Sequence, residues 1–119
     1  DLYTVTLVGS VRCVSETGAK LLEAESANGK ILLNSALTNL ASEGITSVYC
    51  EGGSMLAASL LSDNFVDELI IFTAGVIIGG DGLPTVTSLG LDKLKDARRL
   101  HLLETMTIDG DVMTRWSFN

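Results

Sequence analysis

The sequence predicts a one-domain α/β protein over residues 1–119, with a mixed, mainly parallel sheet flanked by helices and an antiparallel C-terminal hairpin. Three observations predict it. Segments with apolar residues at helical spacing alternate with short apolar runs bounded by turn residues, the order expected of parallel strands joined by crossover helices. One of those runs, "LIIF" at residues 69–72, is apolar without interruption, as in a strand covered on both faces. The chain closes on two strand-like runs around Asp109-Gly110, a strong local hairpin signal.

The first strand is "LYTVTLVG", where Tyr3, Val5 and Leu7 alternate with Thr4, Thr6 and Val8 and Gly9 ends the run. A segment without clear periodicity, "SVRCVSETG", leads to a second strand, "AKLLEAE", and then to the turn residues "SANGK". A helix is expected to begin near Asn34, a good N-cap, with Leu37, Leu40 and Ala41 on its apolar face. Gly44 stands where a left-handed C-cap residue is wanted, and Ile45 resumes the apolar pattern. "ITSVYC" reads as the next strand, and "SMLAASLLSDN" as a helix with Leu56, Ala57, Leu60 and Leu61 on one face. "FVDELIIFTAG" is a further strand. A glycine-rich loop, "VIIGGDGLPTVTSLG", then carries the only proline, Pro84, and the strands "ARRLHLLETMTI" and "VMTRWSF" flank "DGD". Repeats, linkers and low-complexity segments are absent.

Composition narrows the function classes. The net charge is −7 and the pI about 4.4, which counts against nucleic acid and anionic membrane surfaces, since Arg98-Arg99 is the only adjacent basic pair. A phosphorylated small molecule stays compatible, because backbone amides and one or two side chains suffice to hold it. Cys13 and Cys50 lack the spacing of a metal site or a disulfide framework, and Cys50, at the end of an apolar strand, is expected to be a buried, reduced thiol. No apolar stretch approaches the roughly 18 residues that span a bilayer, and no signal peptide opens the chain, so a cytoplasmic setting is the default. The mean hydropathy of +0.37 is high for a soluble domain and implies either a large core or apolar surface covered by something else.

The junction "CEGGSML" carries the most chemistry. Gly52 and Gly53 stand between a strand and a helix, with Ser54 and Met55 opening the helix. A helix N-terminus presents about four unpaired amides and a partial positive charge, and residues without a Cβ let an anion come close. The pair therefore suits a phosphate or pyrophosphate, although it is neither a GxGxxG fingerprint nor a P-loop. A tight strand-to-helix turn explains it equally well. Glu51 would repel an anion beside it and is expected to point toward hydroxyls or ring nitrogens of a second ligand, or else to favour the helix dipole.

Other candidates are weaker. Asp67 and Glu68 are neighbours in a strand and face opposite sides, so they cannot act as an acid/base pair, and Glu68 reads as structural or interfacial. The "GGDG" loop, residues 79–82, reads first as a surface turn and second as a ligand contact. His101 lies between leucines with no recognisable catalytic partner and reads as a surface or edge-strand residue. Ser10 and Arg12 follow the first strand, the usual place for groups that hold a nucleotide ribose or 2′-phosphate.

Taken together, the run "LTNLASEGITSVYCEGGSMLAASLLSDNFVDELIIFTAGVIIGGDGLP" resembles the reductase domain of the bifunctional riboflavin-biosynthesis deaminase/reductase. The likeness rests on "EGI", "EGG", "FVDEL" and "GGDG" in that order and spacing, and extends less sharply from "TVTLVG" to "DVMTRWSF". It implies a dihydrofolate reductase-like fold and NADPH-dependent reduction of 5-amino-6-(5-phosphoribosylamino)uracil to the ribityl product. The resemblance places Gly52, Gly53, Ser54 and Met55 against the cofactor pyrophosphate and Glu51 near the reacting ribose as the catalytic carboxylate. The loop holding Gly9 and Ser10 is expected near the adenosine end of NADPH. The family's domain is considerably longer, and nothing here matches its N-terminal half. The chain is thus expected to be the C-terminal portion of such a domain, a dimer or larger, and weakly active or inactive alone. Two other readings stay open: a related reductase with another substrate, and a non-enzymatic nucleotide-binding or oligomerisation module.

Overall fold

The structure, a computed structural model, describes residues 22–118. It contains two compact units, one ending at Tyr49 and one starting at Cys50.

The first unit is a small hairpin followed by a helix. Strands β1 (Ser26–Ala27) and β2 (Lys30–Ile31) pair antiparallel through Ala27 and Lys30. Asn28 and Gly29 form the turn, both at positive φ (52° and 73°), the conformation a two-residue hairpin loop demands and the reason "NG" sits there. Helix α1 (Leu33–Ser42) buries Ala36 and Leu40. It starts one residue before Asn34, and its N-cap is Leu32, which offers no side-chain acceptor. Asn34 therefore lies within the first turn rather than capping it. The incoming chain is held by polar groups on α1: Ser35 Oγ accepts the Glu25 N–H at 3.0 Å, and Asn39 Nδ2 donates to the Glu23 carbonyl. At the far end Gly44 takes φ +82°, its N–H bonds the Ala41 carbonyl at 2.9 Å and the Ile45 N–H bonds the Leu40 carbonyl at 3.1 Å. These two bonds form the Schellman closure that the glycine predicted.

The second unit opens with helix α2 (Ser54–Ser62), which ends in the same way. Asn64 takes φ +61°, and the N–H groups of Asn64 and Phe65 bond the carbonyls of Leu61 and Leu60. Strand β3 (Glu68–Thr73) then joins β4 (His101–Ile108) and β5 (Asp111–Ser117) in a sheet of order β3-β5-β4. The β4–β5 turn is Asp109-Gly110, both at positive φ, as expected. One-turn 3₁₀ segments occupy Gly79–Asp81 and Leu94–Asp96.

The α/β class and the antiparallel ending match the expectation, but three details differ. Every strand pair among the described residues is antiparallel. "ITSVYC" joins no described ladder, and β3 pairs with β5 because the terminal hairpin brings its second strand back along β3. "LIIF" is not covered on both faces: Leu69 and Ile71 are half-buried, whereas Ile70 and Phe72 on the opposite face are 37% and 62% exposed. Cys50 is exposed and free rather than buried, since its segment has no described strand beside it. The first expected strand, and with it Cys13, lies outside the described residues, as do residues 19–21 of the second; residues 22–25 of the second join no ladder.

Candidate functional site

The glycine junction sits at the N-terminus of α2. Gly53 is the N-cap, extended at φ −67° and ψ 173°, and its carbonyl accepts the Ala57 N–H at 3.0 Å. Among the described residues no side chain caps the helix, and its first turn holds no acidic residue. The N–H groups of Ser54, Met55 and Leu56 precede the first intrahelical bond and stand at the positive end of the helix dipole.

The two glycines have different physical reasons. A Cβ on Gly52 would come within 2.5 Å of Leu56 Cδ2, so any other residue there obliges the Leu56 side chain to move. A Cβ on Gly53 would meet nothing within 4 Å among the described residues. Its φ is also open to any residue, so neither crowding nor backbone strain accounts for glycine at 53. What a Cβ would occupy is the open space before uncapped amides, the place a close-approaching anion needs. Those residues fit a pyrophosphate group.

Glu51 is exposed, two residues ahead of the N-cap, and makes no hydrogen bond or ion pair among the described residues. Met55 is exposed at 67%, while Ser54 is half-buried. Gly9, Ser10 and Arg12 lie outside the described residues. A shallow groove of about 330 Å³ lies in the first unit, lined by Glu25, Leu32, Asn34, Ser35, Thr38 and Asn39, and none of the candidate residues lines it.

The remaining candidates are placed as follows. Glu68 is structural: Arg115 Nη1 donates to both its carboxylate oxygens at 3.3 and 3.1 Å, and Arg115 Nε donates to Glu104 Oε2 at 3.2 Å. Glu68, then Glu104, hold the Arg115 guanidinium pKa above its ordinary value by hydrogen bonding. Asp67 contributes its backbone carbonyl, which accepts the Phe118 N–H at 3.2 Å and extends the β3–β5 ladder. His101 is exposed on the edge strand β4, as expected. In the "GGDG" loop, Gly79 takes φ +75° and Gly79–Asp81 make a single exposed 3₁₀ turn.

One contact to the junction is not announced by local sequence. Thr87, in the glycine-rich loop after the "GGDG" residues, donates through its N–H (3.3 Å) and its Oγ1 (3.4 Å) to the carbonyl of Ser54. Thirty-three positions separate the two residues, so no periodicity rule connects them.

Comparison with known proteins gives a consistent result. The family model of the RibD C-terminal domain matches residues 3–114. The chain is 34% identical over 89 residues to the 2,5-diamino-6-ribosylamino-4(3H)-pyrimidinone 5′-phosphate reductase of Methanothermobacter thermautotrophicus, covering 74% of this chain and 41% of that protein. It is 36% identical over 76 residues to the riboflavin biosynthesis protein RibD of Escherichia coli, covering 64% of this chain and 21% of that protein. The chain therefore spans less than half the length of these relatives. Among solved structures, Acinetobacter baumannii RibD superposes with a TM-score of 0.69 at 21% identity, covering 87% of this chain and 27% of that one. This likeness establishes the fold, the dihydrofolate reductase-like α/β arrangement that the resemblance implied.

Proposed function

From the premise that this chain belongs to the RibD C-terminal domain family, which it matches over residues 3–114, we propose that it is the C-terminal portion of an NADPH-dependent reductase domain of riboflavin biosynthesis. The substrate is 5-amino-6-(5-phosphoribosylamino)uracil and the product its ribityl counterpart. The observation that carries the reading is the open space at Gly53 before the uncapped amides of α2. A cofactor pyrophosphate fits there, on the N–H groups of Ser54 and Met55, with Gly52 and Gly53 admitting it.

The cofactor, when bound, supplies the hydride that reduces the open-chain carbon of the ribose. The chain's own residues bind and orient. The first turn of α2 fixes the anion, and Gly9 and Ser10 take the adenosine end. Glu51, exposed and without a hydrogen bond or ion pair among the described residues, holds the proton route at the reacting ribose. A carboxylate two residues ahead of the N-cap is close enough to the junction to face a substrate lying against the cofactor. We further propose that the protein works in the cytoplasm as a homodimer or larger assembly.

A second substrate reading has a specific basis, because the Methanothermobacter relative is named for the 2,5-diamino-pyrimidinone phosphate. Steady-state NADPH oxidation by the full-length protein with each pyrimidine in turn separates the two. Turnover of the uracil compound is the expected result, and turnover of the diamino compound alone would move the assignment to that substrate. Absence of NADPH and NADH binding by the full-length protein would leave the non-enzymatic module.

A further inference from the structure

We propose that Thr87 is a positioning residue for cofactor binding at the start of α2, an inference that rests on the reductase reading above. Its backbone N–H and its Oγ1 both donate to the Ser54 carbonyl, at 3.3 and 3.4 Å. Ser54 is the first residue of α2, and its own N–H is among those that an anion at Gly53 would meet.

The need for such a tie follows from how this helix begins. Helix ends fray within their first turn unless something outside the helix holds them. Gly53 precedes α2, no side chain caps it, and no acidic residue in the first turn favours its dipole. The usual devices are missing where an anion must enter, since a capping side chain would occupy the same amides. Thr87 solves this from the other direction. It bonds the carbonyl of Ser54, which points away from the anion side, and leaves the N–H groups free. Both residues are half-buried, so water competes less for these bonds than at an exposed helix end.

Apparent affinity falls in proportion to the fraction of molecules whose first turn is ordered. Weakening the tie therefore raises the dissociation constant without touching the reacting groups. Thr87 also joins the segment after the "GGDG" loop to the glycine junction, two glycine-rich stretches that the sequence leaves unrelated.

The test uses the full-length protein and Thr87→Val, which keeps the shape and the backbone N–H and removes the hydroxyl. Isothermal titration with NADPH should show a dissociation constant raised about three- to tenfold, the size of one ordinary hydrogen bond. Amide exchange at Ala57, whose N–H closes the first turn on the Gly53 carbonyl, should accelerate in the cofactor-free protein by a similar factor, while kcat at saturating NADPH stays unchanged. Thr87→Ser should restore both. If the valine variant does not fold, Thr87→Ala compared with Thr87→Ser gives the same contrast. A lower Tm with unchanged affinity and unchanged exchange overturns the inference and leaves Thr87 a loop anchor. If the unaltered protein binds NADPH and the valine variant binds it equally, this inference alone fails. If the unaltered protein binds neither NADPH nor NADH, the reductase reading fails and takes this one with it.

Discussion

At the scale of single residues, the two adjacent glycines make separable predictions. A side chain at 52 must displace the half-buried Leu56, so Gly52→Ala should destabilise the protein by about 1 kcal/mol, the low end of the range for overpacking, as read by chemical denaturation. A Cβ at Gly53 would meet nothing within 4 Å among the described residues, so Gly53→Val should cost only about 1 kcal/mol, the penalty of a poor N-cap residue. It should nevertheless raise the NADPH dissociation constant about tenfold or more, the loss of one charge-assisted hydrogen bond. Equal cofactor affinity in Gly53→Val would return the junction to a plain turn. Glu51→Gln should spare NADPH binding and lower kcat by about a hundredfold if the carboxylate manages the proton, since positioned acid–base groups contribute at least that much. The sequence made "EGG" conspicuous, because paired glycines before a helix have few physical causes. It could not divide the two glycines, because the Leu56 side chain that decides Gly52 approaches through the rotamer it adopts in α2. Thr87 was equally illegible: a hydrogen bond across 33 residues leaves no local pattern.

At the scale of elements, turn chemistry was the most legible feature. Asn28-Gly29, Gly44 and Asp109-Gly110 all occupy the positive-φ positions their residue types predict, because few other residues tolerate that backbone. Gly44→Ala should therefore cost about 1 kcal/mol, the penalty for a Cβ in the left-handed region, and free the end of α1 to fray; equilibrium unfolding measures it. The start of α1 is not legible at Asn34 because Leu32, not a polar residue, holds the cap position. The coverage of β3 is not legible either, because an apolar run reports what its side chains are and not what lies beside them. Within the sheet, Arg115 on the central strand bridges Glu68 and Glu104 on its two neighbours. Its raised pKa means the ion pairs are fully present below the ordinary arginine value and are lost only as pH rises through the higher folded value. Arginine ionisation thus contributes no pH dependence to stability near neutrality. The sensitive variable is salt: Arg115→Met should lower Tm by leaving two carboxylates facing each other, and the drop should shrink in 1 M NaCl, where the screening length is about 3 Å. A Tm loss independent of salt would assign Arg115 to packing alone.

At the scale of the whole molecule, exposed apolar surface is the feature that points beyond a single chain. Among the described residues only Ala36, Leu40 and Ala58 are buried apolar side chains, none of them aromatic. The sheet shows where further burial is available. Cross-strand register places Phe72, Met113 and Met106 in one row, with Phe72 62% and Met106 45% exposed, beside the row of Ile70, Arg115 and Glu104. An apolar row on an open sheet face is costly to leave in water and suits contact with a second copy of the chain. The full-length protein should therefore sediment as a dimer or larger at micromolar concentration. Phe72→Lys and Met106→Lys should each weaken association by about 2 kcal/mol or more, the loss expected at the centre of an interface, or roughly thirtyfold in the dissociation constant. A monomeric full-length protein would overturn the dimer. An assembly indifferent to both lysines would place the contact elsewhere and leave this face to be covered by other parts of the same protein.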